Sequence, residues 1–401
     1  MKVIFAFGLL ILFAFLGSRF LYKKRFFSPV SYFFLSGIIY VFLGLFLGKK
    51  GLNVLSPEVL KSLSPLLNLG LGWVGFLFGF QLEYRYIRRF PKRYIGLSFF
   101  HSFFVICLAA VALILLLRFF FPSQPAFLLY GMVVALALLM SINSPSLLNF
   151  ASSEIPKKGR YYYLARFLVS VSGFWAIAGL ALISSFWHFP FYEKNVFSKG
   201  VIFFLSAIII PVFLGLLFHV LTKGKTSGYD LLVYLLGLIF FAAGAASYFN
   251  LPSLFICMVM GITLSNLTKI QEKLYPLLLS TEKPFYIIFL ILIGALWEFN
   301  FDYKTGLLVV LLLFIRAVGY SFSLRPLGFI LRFSFPLPAL YGFCFLSFGG
   351  VALAFVVSLK LIYQYPLTDV FVSVALLVIV VSELLSPLIM KKALLKLESK
   401  E

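Results

Sequence analysis

The chain has 401 residues, of which 62% are hydrophobic and only 12% charged, with a mean hydropathy of +1.07. A soluble protein carries about a quarter of its residues as charges, so this composition, with 52 Phe and 21 Tyr, excludes soluble domains and implies an all-α polytopic membrane protein. The net charge of +21 does not point to nucleic acid, because the basic residues lie in short loops between apolar runs; it reads as positive-inside topology and contact with anionic lipid headgroups.

Thirteen apolar stretches, each near the roughly 20 residues one bilayer crossing needs, follow one another: residues 3–22, 30–47, 62–81, 95–117, 126–150, 162–186, 199–221, 230–248, 252–268, 284–300, 305–323, 337–359 and 367–390. Lys2 before the first run resembles the start of a signal peptide, but the run is too long and no small-residue cleavage site follows, so it is expected to stay as an anchor. With the N-terminus outside, the basic runs 19–25, 85–93, 157–166 and 391–400 all fall on the inner side, whereas the outer loops hold only scattered cations such as Lys61, Arg118 and Lys304. The bias holds from loop to loop and predicts an N-out, C-in topology.

Polar residues inside these spans are few. The fifth span contains Ser141-Ile-Asn143-Ser144-Pro145-Ser146; Pro145 removes a backbone donor, and the neighbouring polar side chains are placed to satisfy the carbonyls it frees, so the span is expected to break near mid-membrane. The twelfth contains Ser347-Phe-Gly349-Gly350-Val351, a second weak point. Spans 4–6 (residues 95–186) and 11–13 (residues 305–390) form two three-span units whose middle member is interrupted and whose topologies are inverted, the plan of a secondary transporter with its site where the breaks meet.

Two charges fall inside spans. Arg316 lies about 13 Å from the inner end of its span and Glu383 about 12 Å, at 1.5 Å per residue. Ser172 and Asn143 lie at similar depth. Buried charges in a bilayer require partners or a wet cavity, so Arg316 and Glu383 are expected to be paired or to share one pocket; the alternatives are that Arg316 is a strut on broken-helix carbonyls and that Glu383 reaches toward the inner interface. The three cysteines (Cys107, Cys257, Cys344) and three histidines (His101, His188, His219) are scattered, so no metal, haem or other cofactor is expected, and no catalytic motif marks an enzyme.

Four stretches, in order and spacing, resemble the bacterial monovalent cation/proton antiporters, sodium/hydrogen exchanger-like transporters of the thirteen-helix type: Pro29–Gly37, Gly75–Glu83, Ser141–Leu148 and Glu282–Gly294. The resemblance implies a scaffold of residues 1–93 and 226–302 that forms a homodimer, a core of residues 94–190 and 303–392, a linker helix in 191–225 and a cytoplasmic tail at 393–401. It also implies elevator-like alternating access that exchanges Na⁺ or K⁺ for protons at acids on the sixth helix, beside a basic residue on the eleventh. Arg316 stands at that basic position. Ser172 and Gly173 stand where the acids belong, Val351 replaces a further acid, and no Asp or Glu lies between Glu154 and Glu193.

A serine hydroxyl does not exchange protons near neutral pH. Either Glu383 has become the titrating group, with Ser141, Asn143, Ser144, Ser172, Gly350 and Arg316 completing the ion site, or Arg316 without a counter-acid holds another solute such as an anion. A third reading is a non-transporting sensor or scaffold.

Overall fold

The computed structural model describes residues 2–20, 37–120, 126–153, 155, 158–187, 196–222, 228–267, 271–298, 302–363 and 365–399. Residues 29–36, His188, Glu154 and Glu193, and Lys23, Lys24, Arg25, Lys157 and Lys400 of the basic runs given above, lie outside them. The described residues form α1 (Lys2–Phe20), α2 (Ile38–Leu47), α3 (Pro57–Ser62), α4 (Ser64–Phe80), α5 (Tyr84–Ile87), α6 (Lys92–Phe120), α7 (Ala126–Leu139), α8 (Pro145–Ala151) and α9 (Arg160–Trp187). These are followed by α10 (Val196–Leu221), α11 (Gly228–Tyr248), α12 (Ser253–Leu267), α13 (Gln271–Leu296), α14 (Tyr303–Ile330), a 3₁₀ helix (Ala339–Phe345), α15 (Gly349–Ile362) and α16 (Pro366–Glu398). No strand occurs among the described residues.

Six of these helices are long and apolar enough to cross a membrane, and the 3₁₀ helix with α15 qualifies as a seventh span, bent by 65°. The side chains they expose are themselves apolar, such as Phe213, Leu221, Phe322 and Phe329, which only a lipid solvent tolerates over so large an area. The chain is a multi-pass membrane protein. Helix starts follow ordinary capping chemistry: Ser56 caps α3 through its side chain, Asp302 accepts from the Tyr303 N–H, and α8 and α16 each begin with proline, whose missing donor costs nothing there.

The chain divides into two compact units, residues 1–87 with 181–298 and residues 88–180 with 299–401. In the first, α4 packs on α12 with backbones nearly touching. A Cβ at Gly75 or Gly79 would collide with the carbonyls of Leu254 and Met258, the small-residue packing that replaces hydrophobic drive between helices in lipid. The second unit contains α6–α8, most of α9, α14, the 3₁₀ helix, α15 and α16, with both interrupted spans. The first interruption is the segment 140–144, between α7 and α8; the second is 346–348, between the 3₁₀ helix and α15. The twelfth span is interrupted beside the weak point at Ser347–Val351, and its first half is a 3₁₀ helix, because Pro336, Pro338 and the glycines Gly342 and Gly349 leave only a tight 3₁₀ turn before the break.

Candidate functional site

The two interruptions cross inside the second unit. At the crossing the Ser144 N–H donates to the Ser347 carbonyl at 3.2 Å, so a single backbone hydrogen bond links the two broken spans. Gly349 has φ +74°, and a Cβ there would lie 2.6 Å from Ser144 Oγ. Only glycine accommodates both the left-handed backbone and that approach. Ser144 also caps α8, its Oγ accepting from the Leu147 N–H.

Broken helices leave carbonyls and N–H groups without intrahelical partners, and in lipid each must be satisfied by protein. Arg316, fully buried on α14, meets the carbonyl half of this requirement. Its guanidinium donates to the carbonyls of Met140 and Ile142 in the first break and of Phe345 and Ser347 at the second, and to Asn143 Oδ1, at 2.5–3.1 Å. All five acceptors are neutral. The face of the guanidinium lies over the Phe348 ring, 3.7 Å from its centroid, a cation–π contact, and its Nε has no partner among the described residues. Tyr320, one turn on, adds its hydroxyl to the Met140 carbonyl at 3.1 Å. The carbonyls of the first break are thus held both from α14 and locally: the Ser141 carbonyl, which Pro145 leaves without its i+4 donor, accepts from Asn143 Nδ2, and Ser141 Oγ donates to the Leu138 carbonyl.

Glu383 meets the N–H half. From α16 its Oε1 accepts from the backbone N–H groups of Phe348 and Gly349 at 2.7 and 2.8 Å, capping the start of α15 where the helix dipole favours negative charge. The adjacent Ser382 donates to the Leu346 carbonyl. Glu383 is 3% exposed, and among the described residues its Oε2 has no hydrogen-bond partner. Arg316 and Glu383 form neither a hydrogen bond nor an ion pair; they grip opposite sides of one break.

Of the residues singled out from sequence, Asn143, Ser172 and Arg316 form one hydrogen-bonded chain. Asn143 Nδ2 donates to Ser172 Oγ at 3.1 Å and to the Ser141 carbonyl at 3.2 Å, while Oδ1 accepts from Arg316. Ser172, buried at mid-α9, donates its own hydroxyl hydrogen bond to the Val169 carbonyl at 3.1 Å. Gly350 lies in the first turn of α15, one residue beyond the glycine that the crossing uses. The sequence marks Ser347 and Gly349 only as a weak point in the span, and it does not single out Tyr320 or His101 for the site. The imidazole of His101 is buried beside Tyr320 and Phe345, with Nδ1 2.6 Å from Ser323 Oγ; one buried histidine on an apolar helix carries no signal by itself. Among the described residues no group of His, Cys, Asp and Glu could hold a metal ion by clustering.

Two broken spans crossing inside a helical unit, with charged side chains on the half-helix ends, define the architecture used by secondary membrane transporters. No protein-family model and no curated protein sequence matches the chain. Among solved structures it is similar to the sodium proton antiporter MjNhaP1 from Methanocaldococcus jannaschii, with a TM-score of 0.70, 15% sequence identity and coverage of 99% of both chains. The chain has the sodium/proton antiporter fold.

Proposed function

We propose that the protein is a secondary active transporter that exchanges a monovalent cation, Na⁺ or K⁺, for protons, with Glu383 as the exchanging carboxylate. The observation that carries this reading is the state of that side chain: one oxygen fixed by two N–H donors, the other buried and without a partner. Buried polar atoms are almost always satisfied, so an unsatisfied carboxylate oxygen is a place where a proton or cation is gained. Arg316 holds the geometry of the crossing and supplies a constant positive charge, while Asn143, Ser144, Ser141 and Ser172 supply neutral oxygens near it.

The wider reading goes with this one: thirteen crossings, two inverted three-helix units, residues 94–190 and 303–392 moving as an elevator core, and a homodimer formed through residues 1–93 and 226–302. It places the protein in the bacterial inner membrane with the N-terminus outside. A full-length likeness to a sodium proton antiporter supports it. The test is a pH indicator inside proteoliposomes challenged with Na⁺ and K⁺ gradients. Cation-driven pH change that disappears in Glu383→Gln is expected; silence from both proteins removes the exchange reading.

A second reading has one observation in its favour. Arg316 has only neutral acceptors and an unpartnered Nε–H, a buried positive charge that an anionic solute would complement. In that case Arg316→Ala abolishes uptake and Glu383→Gln leaves it intact.

A further inference from the structure

Besides Glu383 Oε2, the hydroxyl of Ser347 in the second break and that of Ser386 one turn beyond Glu383 on α16 are buried without a hydrogen-bond partner among the described residues. We infer that these three oxygens, with the main-chain carbonyl of Glu383, form the site of a monovalent cation that has shed its water. The inference rests on the exchange reading of Glu383 and adds to it the ligands that hold the ion when it replaces the proton.

The placement follows from the contacts around the break. Ser382 donates to the Leu346 carbonyl, and Glu383 Oε1 accepts from the Phe348 and Gly349 N–H groups, so this face of α16 runs along residues 346–349, a strip that includes Ser347. Ser386 follows Glu383 by three residues, a spacing that puts two side chains on one helix face with Cβ atoms about 5–6 Å apart. A serine inside a helix commonly turns back to a carbonyl one turn earlier, as Ser184, Ser185 and Ser206 do. Ser386, 1% exposed, does not. The next residue, Pro387, lies inside α16 and has no N–H, so the helix lacks the usual donor to the Glu383 carbonyl. Ser347 divides its groups in a similar way: its carbonyl accepts from Arg316 and from the Ser144 N–H, while its Oγ bonds none of the described residues.

The chemistry of these groups selects the ligand. Each hydroxyl has a proton to donate, yet neither donates to Oε2. A carboxylate, two hydroxyls and a carbonyl are all oxygen ligands, one negative and the rest neutral, the donor set of a hard cation. Carbonyls freed where helices break serve the same purpose in secondary transporters. The serines of the first break are committed elsewhere: Ser141 and Ser172 donate to the Leu138 and Val169 carbonyls, and Ser144 caps α8. A monovalent ion also carries the same charge as the proton it replaces, whereas a divalent one would add a second unit near Arg316 in a dry interior.

The test titrates purified full-length protein in detergent at alkaline pH with NaCl or KCl against N-methylglucamine chloride of equal ionic strength, reading the thermal midpoint. The same proteins are assayed for cation-driven pH change in proteoliposomes. Na⁺ or K⁺ is expected to raise the wild-type midpoint saturably. Ser347→Ala and Ser386→Ala are each expected to raise the half-effective concentration and the transport KM by about three- to tenfold, the size of one neutral polar contact. Ser386→Thr keeps the hydroxyl and should keep the affinity. Ser358→Ala removes another buried, unpartnered hydroxyl further along α15 and should alter neither quantity. An alanine variant that fails to fold is replaced by Ser→Cys, whose soft sulfur suits these ions poorly. A wild-type midpoint indifferent to both salts, or wild-type affinity in both serine variants, overturns the site and leaves water as the partner of these oxygens. The two readings fail separately. A midpoint shift weakened by the serine variants, with silent wild-type vesicles, keeps the site and removes exchange; Glu383-dependent pH change with unaltered KM in both serine variants keeps exchange and removes the site.

Discussion

Arg316 and Glu383 share one helix break without pairing: the guanidinium takes the carbonyls of Phe345 and Ser347, and the carboxylate takes the N–H groups of Phe348 and Gly349. Each charge sits against the half-helix end whose dipole it complements. The break is therefore held open from both sides by side chains of opposite sign, and their separate roles make separate predictions.

Removing Arg316 takes a donor from five acceptors in a dry interior; Met140 keeps the Tyr320 hydroxyl and Ser347 the Ser144 N–H, while the Ile142 and Phe345 carbonyls and Asn143 Oδ1 lose the donor described for them. Arg316→Met is expected to lower stability by at least about 3 kcal/mol, since a buried unsatisfied polar group costs about 1–3 kcal/mol. Arg316→Lys, with fewer donors and no planar fork, recovers only part of it. Chemical denaturation in detergent measures both, and a neutral result for Arg316→Met would show that the crossing is held by something else.

Glu383→Gln keeps an acceptor oxygen for the Phe348 and Gly349 N–H groups, so its stability is expected to stay within about 1 kcal/mol of wild type. It loses the exchangeable proton and should abolish cation-driven pH change. Glu383→Leu loses the cap as well and is expected to fall by about 1–2 kcal/mol. Parallel stability and transport assays separate the two effects; wild-type exchange by Glu383→Gln would remove the carboxylate from the mechanism.

Gly349→Ala combines a left-handed backbone, worth about 1–2 kcal/mol against an L-residue, with a Cβ at 2.6–2.7 Å from Ser144 Oγ and Cβ. Adding Ser144→Gly relieves the collision and leaves the backbone strain. A double-mutant cycle on thermal stability is expected to give a favourable coupling of about 0.5–3 kcal/mol; independent effects would place Gly349 away from Ser144.

Ser172→Asp places a carboxylate where Asn143 Nδ2 now donates at 3.1 Å, beside the amide that also receives Arg316. In the exchange reading, this variant should restore cation-driven pH change to Glu383→Gln. The Ser172→Asp/Glu383→Gln protein in proteoliposomes is the measurement, and continued silence would confine exchange to the α16 side of the crossing.

Much of the fold was legible because lipid imposes a simple rule: apolar runs of bilayer length become helices. The first break was legible too, since Pro145 lies in a serine-rich stretch that cannot continue α7. The second was only half visible. Gly349 and Gly350 marked a weak point, but the conversion of residues 339–345 to a 3₁₀ helix depends on how Tyr341, Cys344 and Phe345 pack in the unit. The depth of Arg316 was readable from its distance to Arg325, and its role as a strut was one of two open alternatives. Its partners were out of reach, because Met140 and Ile142 lie more than 170 residues away in the chain. Glu383 illustrates the same limit. Sequence gave its depth and charge, yet whether it meets a guanidinium or a helix end is decided by the rotation of α16, which the local pattern does not encode.

The neutrality of every group that Arg316 bonds has an electrical consequence. No direct counter-charge travels with the guanidinium, so the charge of the Arg316–Glu383 pair is set by Glu383 alone: zero when it is ionised, one positive unit when it carries a proton. A membrane potential acts on a moving elementary charge with about 2.3 kcal/mol per 100 mV. In the proposed cycle a bound monovalent cation on the ionised carboxylate restores the same unit, so the proton-loaded and cation-loaded forms carry equal charge and a one-for-one exchange at this pair moves no net charge.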